Sequence, residues 1–302
     1  MHEGQLDVED DLARRLIASE FPSLAGPSLR RLRTAGTVNS IVRLGEDLVA
    51  RFPLAPTPER ELVTEAEALA EFAAASPFPA PRPHGIGAAT EEYPSTWTVQ
   101  TWLPGETAGH DRHASSSALA GDVATLIAAL RSVSTRDRIF DGRGRGGDLP
   151  NHDEWMAHCL VQSAHLLDVP RAAALWSVLH DLPRSGPDVM SHRDLTPPNL
   201  LVASVSGADR LVGVLDAGAF GPADPALDLV AAWHLFDGPQ RREVREAVGA
   251  GDVEWFRGAA WALQQAMGLV WYYETSNPEM SALGLSTMRR LLEDAELGAL
   301  AG

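Results

Sequence analysis

Apolar residues at Leu12, Leu16, Ile17 and Phe21 recur at helical spacing, which predicts an amphipathic helix over residues 8–21. Pro22 and the Gly26-Pro27 pair end it. The period then shortens. Residues 29–33, 41–44 and 48–52 are brief apolar runs, separated by a small-residue turn at 34–40 and by Gly45-Glu46-Asp47. They predict three antiparallel strands built as hairpins. Residues 58–75, rich in Glu and Ala, predict a long helix. Residues 78–83 are proline-rich and predict an extended connector. Residues 97–103 predict a strand, broken by Pro104-Gly105-Glu106-Thr107. Beyond Ser115 helical spacing dominates, at 118–133, 154–167, 172–182, 228–236, 240–249, 253–273 and 281–297. The expected fold class is α+β, with a small N-terminal antiparallel sheet plus one helix and a larger helical C-terminal lobe. The expected boundary separates residues 1–103 from 104–302.

One stretch in the helical half breaks its rhythm. His192-Arg193-Asp194 is followed five residues after the Asp by Asn199, then by an apolar strand from Leu200. A second apolar strand, from Leu211, ends in Asp216-Ala217-Gly218. A turn through residues 204–210 would fold the two strands into a hairpin and bring Asn199 toward Asp216. This order of features is the layout of a phosphoryl-transfer loop and its metal loop. Transfer to a hydroxyl needs an acid to orient the hydroxyl and accept its proton, which suits Asp194, with His192 beside it as the other catalytic candidate. It also needs oxygen ligands that hold Mg²⁺ against nucleotide phosphates, which suits Asn199 and Asp216.

Charge and composition narrow the picture further. The formal net charge is −16, which excludes the basic footprint that nucleic-acid binding requires and suits a cationic small substrate. No run of about eighteen apolar residues marks a membrane span. The acidic N-terminus and single cysteine fit a cytoplasmic protein. The 302-residue chain contains no lysine. Any cation placed against phosphate is therefore an arginine. Arg51, late in the third strand, is the candidate, paired with Glu65 or Glu67 on the long helix. Ser40, in the turn at 34–40, is placed to meet the phosphates. Gln100, Thr101, Trp102 and Leu103, before the break at Pro104, are placed to meet the base. Asp228 opens an apolar helix as its expected N-cap and stands where it could also brace the catalytic loop.

These residues resemble the aminoglycoside phosphotransferase family of antibiotic kinases, a branch with the two-lobed protein-kinase-like fold. The resemblance spans nearly the whole chain. Leu48-Val49-Ala50-Arg51-Phe52-Pro53 resembles the family's third strand, where some members carry Arg for Lys. The spacing from Glu65 to Pro79-Ala80-Pro81 resembles that of the family's helix glutamate, which favours Glu65 over Glu67. Trp102-Leu103-Pro104-Gly105-Glu106-Thr107 resembles the hinge, and Asp224-Pro225-Ala226-Leu227-Asp228-Leu229 the segment after the metal loop. Arg193 stands where the family commonly has glycine, and Ala217 where an aromatic is usual. The resemblance implies a Mg²⁺-dependent kinase that transfers phosphate from ATP or GTP to a hydroxyl of a small molecule, an antibiotic such as an aminoglycoside or a macrolide. A metabolic kinase for a choline-, homoserine- or sugar-like acceptor, and a nucleotide-binding pseudoenzyme, are the alternatives. The sequence leaves oligomeric state open.

Overall fold

A computed structural model of the chain describes residues 6–24, 26, 28–32 and 39–301. They divide into two compact units. One draws on Met1–Ala74, Pro79–Pro104 and Asp216–Ala219, the other on Ala75–Phe78, Gly105–Leu215 and Phe220–Gly302.

The first unit is built on one antiparallel sheet. Its strands are β1 (Leu29–Leu32), β2 (Asn39–Leu44), β3 (Leu48–Pro53), β4 (Pro83–Gly87) and β5 (Trp97–Thr101), in the order β1-β2-β3-β5-β4. Helix α1 (Asp10–Glu20) and the sheet bury a common core that includes Leu16, Ile17, Val42, Phe52 and Trp97. Helix α2 (Glu59–Ala75) buries Leu62, Leu69 and Phe72 along one face. The phenol of Tyr93, buried in the same core, donates to the Pro53 carbonyl.

Strand β4 corrects the expectation of a three-stranded sheet followed by a connector. Pro83-His84-Gly85-Ile86-Gly87 has no alternation of its own to announce a strand, and its pairing comes from β5. Its glycines are fixed by close approach. A Cβ on Gly87 would lie 2.1 Å from the Trp97 ring, and one on Gly85 would lie 2.5 Å from the Phe21 ring.

The second unit holds the helices α3 (Ser117–Arg131), α4 (Asp153–Gln162), α5 (Val169–Leu179), α6 (Val230–Leu235), α7 (Gly238–Val248), α8 (Asp252–Tyr272), α9 (Pro278–Leu292) and α10 (Ala295–Ala301). Two of the expected helices end about five residues early. The helix expected over 154–167 ends at Gln162, and residues 163–166 form turns. The helix expected over 281–297 is broken after Leu292. Asp294 Oδ1 then accepts from the backbone N–H groups of Glu296 and Leu297, at 3.0 and 3.2 Å, and starts α10.

Short strands are set among these helices. β6 (Glu106–Thr107), β8 (Leu200–Val205) and β9 (Ala208–Val214) form one sheet, and β7 (Val189–Ser191) pairs with β10 (Gly221–Ala223). The β8–β9 hairpin pairs Leu200 with Val214 at its open end and turns through Ser206 and Gly207, at φ +53° and +82°. The Leu215 N–H donates to the Asn199 carbonyl at 2.7 Å, so the end of the hairpin closes just before Asp216 in the chain.

The core of this unit contains an ion pair. Arg257 on α8 and Asp224 are 2% and 0% exposed. Asp224 Oδ2 accepts from the Arg257 guanidinium and from the Trp261 indole N–H, and Oδ1 accepts from the Ala226 N–H. The Arg257 guanidinium also donates to the Leu182 carbonyl. Buried charges need this density of partners to offset the loss of water.

Candidate active site

In the second unit the segment 191–199 is held from beneath by Asp228. This carboxylate, 3% exposed, accepts from the Ser191 hydroxyl at 2.8 Å, the His192 N–H at 3.0 Å and the Arg193 N–H at 3.3 Å. Of the two roles expected of Asp228, the structure shows the brace and corrects the helix N-cap. Asp228 lies within a short 3₁₀ turn, makes no cap bond, and spends its oxygens bracing the loop.

The His192 ring is fully buried and is spent on backbone. Its Nε2 donates to the Leu215 carbonyl at 2.9 Å, and its Nδ1 accepts from the Asp194 N–H at 3.3 Å. Both bonds require the Nε2–H tautomer. His192 positions the loop, whereas the sequence placed it among the catalytic groups.

Asp194 is half-exposed, and its carboxylate is surrounded by donors. Oδ1 accepts from Gln265 Nε2 at 2.7 Å and from an Arg145 guanidinium nitrogen at 3.0 Å. Oδ2 accepts from Asn199 Nδ2 at 3.0 Å. A carboxylate offers about four lone-pair positions, two on each oxygen. Three are taken, and the one left is on Oδ2. The Asn199 amide nitrogen also donates to the Asp194 carbonyl at 2.8 Å, so the amide is turned with its Oδ1 away from Asp194.

Arg145 reaches Asp194 from the glycine-arginine loop 141–148, which is tied down by Arg193. The Arg193 guanidinium bonds Asp141 at 2.9 Å and the Arg143 carbonyl, and it lies 5.0 Å from the Phe140 ring centroid. The Arg193 backbone sits at φ +70°, where a side chain costs about 1–2 kcal/mol relative to glycine. Arg193→Gly is expected to remove that cost and release the loop. Amide hydrogen exchange across residues 142–147 should then quicken by roughly tenfold, as expected for loss of one part-exposed ion pair and one cation–π contact. Unchanged exchange would show that the loop does not depend on Arg193.

The first unit carries the other candidates. Arg51 on β3 bonds Asp216 Oδ1 at 2.8 Å. This corrects the expected Arg51–Glu65 ion pair: Glu65 lies close enough to feel both charges but makes no salt bridge with Arg51. Burial pushes the Glu65 carboxyl above its usual range; the Arg51 guanidinium opposes this, and Asp216 and Glu61 add to it. Arg51, Glu65, Gln100 and Gly218 line one pocket within the unit.

Gly218 packs directly on α2. A Cβ there would lie 3.2 Å from Glu65 Cβ and 3.7 Å from Glu65 Cα, atoms that move only with the helix. Gly218→Ala is expected to cost about 1–3 kcal/mol, read as a lowered urea midpoint. No change would mean that the 216–219 segment can lift away from α2.

The remaining candidates are more ordinary. The Ser40 hydroxyl accepts from Arg31 at 2.5 Å. The rest of the expected phosphate turn, residues 34–38, lies outside the described residues. The Thr101 hydroxyl accepts from the Arg82 N–H at 2.9 Å, and the Trp102 N–H donates to the Asp47 carbonyl at 2.7 Å. Leu103 is half-buried.

Among the described residues no cluster of three or more His, Cys, Asp or Glu could hold a metal unaided. One carboxylate and one amide oxygen are hard donors of the kind Mg²⁺ accepts, and this ion usually takes its remaining ligands from phosphates and water. The Asp216 carboxylate in the first unit and the Asn199 amide oxygen in the second are each a donor of that kind.

Sequence reasoning missed Arg145, Gln265 and the bracing contacts of Arg193. Arg145 lies 49 residues before Asp194 and Gln265 71 residues after it, so no local spacing reveals them. The one available signal was the Gly-Arg-Gly-Arg-Gly-Gly run at 142–147, because dense glycine marks a loop shaped for close approach.

A braced H-R-D-x-x-x-x-N loop beside a hairpin that leads into D-x-G defines a protein-kinase-like phosphotransferase fold. The model of the phosphotransferase enzyme family matches residues 30–261, and the chain belongs to that family. Solved structures are similar over nearly the full chain. The GDP and kanamycin complex of APH(2")-IIia is 19% identical, with a TM-score of 0.68 over 95% of this chain and 98% of that one. The macrolide 2'-phosphotransferase MphH from Brachybacterium faecium, as apoenzyme, is 20% identical, with a TM-score of 0.61 over 92% and 98%. The streptomycin-ATP complex of APH(2")-IIa is 14% identical, with a TM-score of 0.57 over 95% and 98%. No curated protein sequence matches. No helix among the described residues is long and apolar enough to cross a membrane.

Proposed function

We propose that this phosphotransferase moves the γ-phosphoryl group of ATP or GTP to a hydroxyl of a small antibiotic of the aminoglycoside or macrolide class. The observation that carries the reading is the Asp194 carboxylate. It is fixed by three donors and keeps one lone pair, on Oδ2, to orient a hydroxyl and take its proton.

Asn199 Oδ1 and the Asp216 carboxylate are the oxygen donors assigned to Mg²⁺, which when bound neutralises charge on the nucleotide phosphates. Arg51 leaves Asp216 for the α- and β-phosphates, where a planar guanidinium grips two oxygens at once. Gln100 and the segment to Leu103 meet the base. Catalysis in this reading is orientation and charge stabilisation, with no covalent intermediate on the protein.

The similar structures named above carry kanamycin and streptomycin in two cases and a macrolide enzyme in the third. The net charge of −16 favours the cationic acceptor. The test is a phosphate-transfer assay with Mg²⁺ and either ATP or GTP, against kanamycin, gentamicin, streptomycin, a macrolide, choline, homoserine and simple sugars. Turnover that depends on an antibiotic supports the proposal. Turnover only with choline, homoserine or a sugar replaces the acceptor class. Nucleotide binding without turnover on any acceptor points to a pseudoenzyme.

A further inference from the structure

Behind Gln265 lies a buried chain of polar groups that the reaction as described leaves unused. His234 on α6 and Thr287 on α9 are both 0% exposed. His234 Nε2 lies 3.1 Å from Gln265 Oε1, and Nδ1 lies 2.8 Å from Thr287 Oγ1. Three helices, α6, α8 and α9, thus contribute one member each to a line that ends on Asp194 Oδ1.

Proton bookkeeping along this line has one consistent solution at neutral pH. Asp194 Oδ1 accepts, so the Gln265 amide presents Nε2–H to it and turns Oε1 toward the histidine. Oε1 also accepts, so His234 must carry its proton on Nε2. Burial pushes the His234 pKa down to about 4, with the Gln265 hydrogen bond and the Asp194 charge pulling the other way, and the ring is neutral. A neutral ring protonated on Nε2 has a bare Nδ1, which must accept from the Thr287 hydroxyl. The Thr287 proton therefore goes to the histidine, although the Leu283 carbonyl also lies within reach at 2.9 Å. The opposite tautomer would set the Nε2 lone pair against Gln265 Oε1. A flipped Gln265 would set Oε1 against the Asp194 carboxylate.

We propose that Thr287, His234 and Gln265 form a positioning relay that fixes the Asp194 carboxylate, keeping Oδ1 occupied and Oδ2 aimed at the acceptor hydroxyl. The relay moves no proton during turnover. It holds one orientation of one amide, and that amide holds the base. Loss of an end member deep in the helices should therefore slow transfer without weakening nucleotide binding. This inference rests on the assignment of Asp194 as the base.

The first test reads the relay without turnover. ¹⁵N NMR of the full-length protein at neutral pH should show His234 protonated on Nε2 and bare on Nδ1; the reverse tautomer overturns the proposal. The second test is kinetic. It uses Mg-ATP and Mg-GTP, with kanamycin, a macrolide and water in turn as acceptor. Thr287→Val keeps the side-chain shape and removes the donor, whereas Thr287→Ser keeps the donor. Thr287→Val and Gln265→Met should each lower kcat by about tenfold, the scale of a small misplacement of a catalytic group, with nucleotide KM within about twofold of wild type. Thr287→Ser should retain near wild-type kcat. Equal losses in Thr287→Val and Thr287→Ser, or a rise in KM at constant kcat, overturn the relay. Asp194→Asn run alongside separates the two readings. If Asp194→Asn is inactive and the relay variants are unaffected, the relay alone fails. If Asp194→Asn is fully active, the assignment of the base fails, and the relay with it.

Discussion

In Asp194→Asn, phosphate transfer should fall by about 10²–10⁴-fold, the contribution of a positioned general base, while the affinity for Mg-nucleotide stays near the wild-type value. The geometry makes this variant informative. The Asn side chain keeps one oxygen, which can still receive Gln265 and Arg145. Its NH₂ group then replaces Oδ2 and faces the Asn199 amide nitrogen, so the 3.0 Å bond between those side chains is lost. Asn199 keeps its orientation through the 2.8 Å bond to the Asp194 main-chain carbonyl, which the substitution leaves in place. If Asn199 serves as the proposed metal ligand, an orientation held in that way predicts a loss confined to kcat. Isothermal titration with a non-hydrolysable nucleotide, beside steady-state kinetics, separates the two quantities. Transfer within a few-fold of wild type would remove Asp194 from the role of base. Loss of nucleotide affinity would show that the side-chain bond, rather than the main-chain one, orients Asn199.

The largest loss of stability should come from Asp224→Ala. This carboxylate is the shared acceptor for the Arg257 guanidinium, the Trp261 N–H and the Ala226 N–H, all in the core. Its removal leaves a buried arginine charge with only the Leu182 carbonyl, and an uncompensated buried charge costs about 3–5 kcal/mol. For a chain of this size that corresponds to a fall in melting temperature of roughly 10 °C. Asp224→Ala combined with Arg257→Met should be less damaging than the sum of the two single variants, because the double variant strands no charge. Thermal unfolding of all three decides the point. Additive losses would mean that the two groups stabilise the core independently and that their contact carries no coupling.

What the sequence made legible follows from range. The H-R-D-x-x-x-x-N loop and the hairpin from Leu200 were readable because a loop and its two strands are set by neighbours within a few residues. The Asp224–Asp228 segment was recognisable as a pattern, and so was a bracing role for Asp228, but the partner of Asp224 was not. Asp228 braces the catalytic loop from 36 residues away, and Asp224 pairs with an arginine 33 residues on. Strand β4 was hidden because Gly85 and Gly87 serve the rings of Phe21 and Trp97, and a strand chosen for close approach loses the alternation that marks strands. The partner of Arg51 was misjudged for a related reason. On a helix, spacing restricts which glutamates share a face, but it cannot say that Asp216, 165 residues beyond Arg51 in the chain, will take the bond first.

The buried Tyr93 phenol bears on behaviour in alkali. Burial raises its pKa above the ordinary value of about 10, and the Cys159 thiol is raised by burial in the same way. A raised pKa means that the unfolded chain releases these protons first. The stability associated with both neutral groups is therefore fully present at neutral pH and drains away as the pH climbs past the unfolded values. In most proteins lysines discharge in the same window and blur the effect, but this chain has none. The buried thiol and phenol should thus both draw on the stability of the fold in alkali, and a urea midpoint followed against pH, in the native protein and in Tyr93→Phe, reads the phenol's share directly.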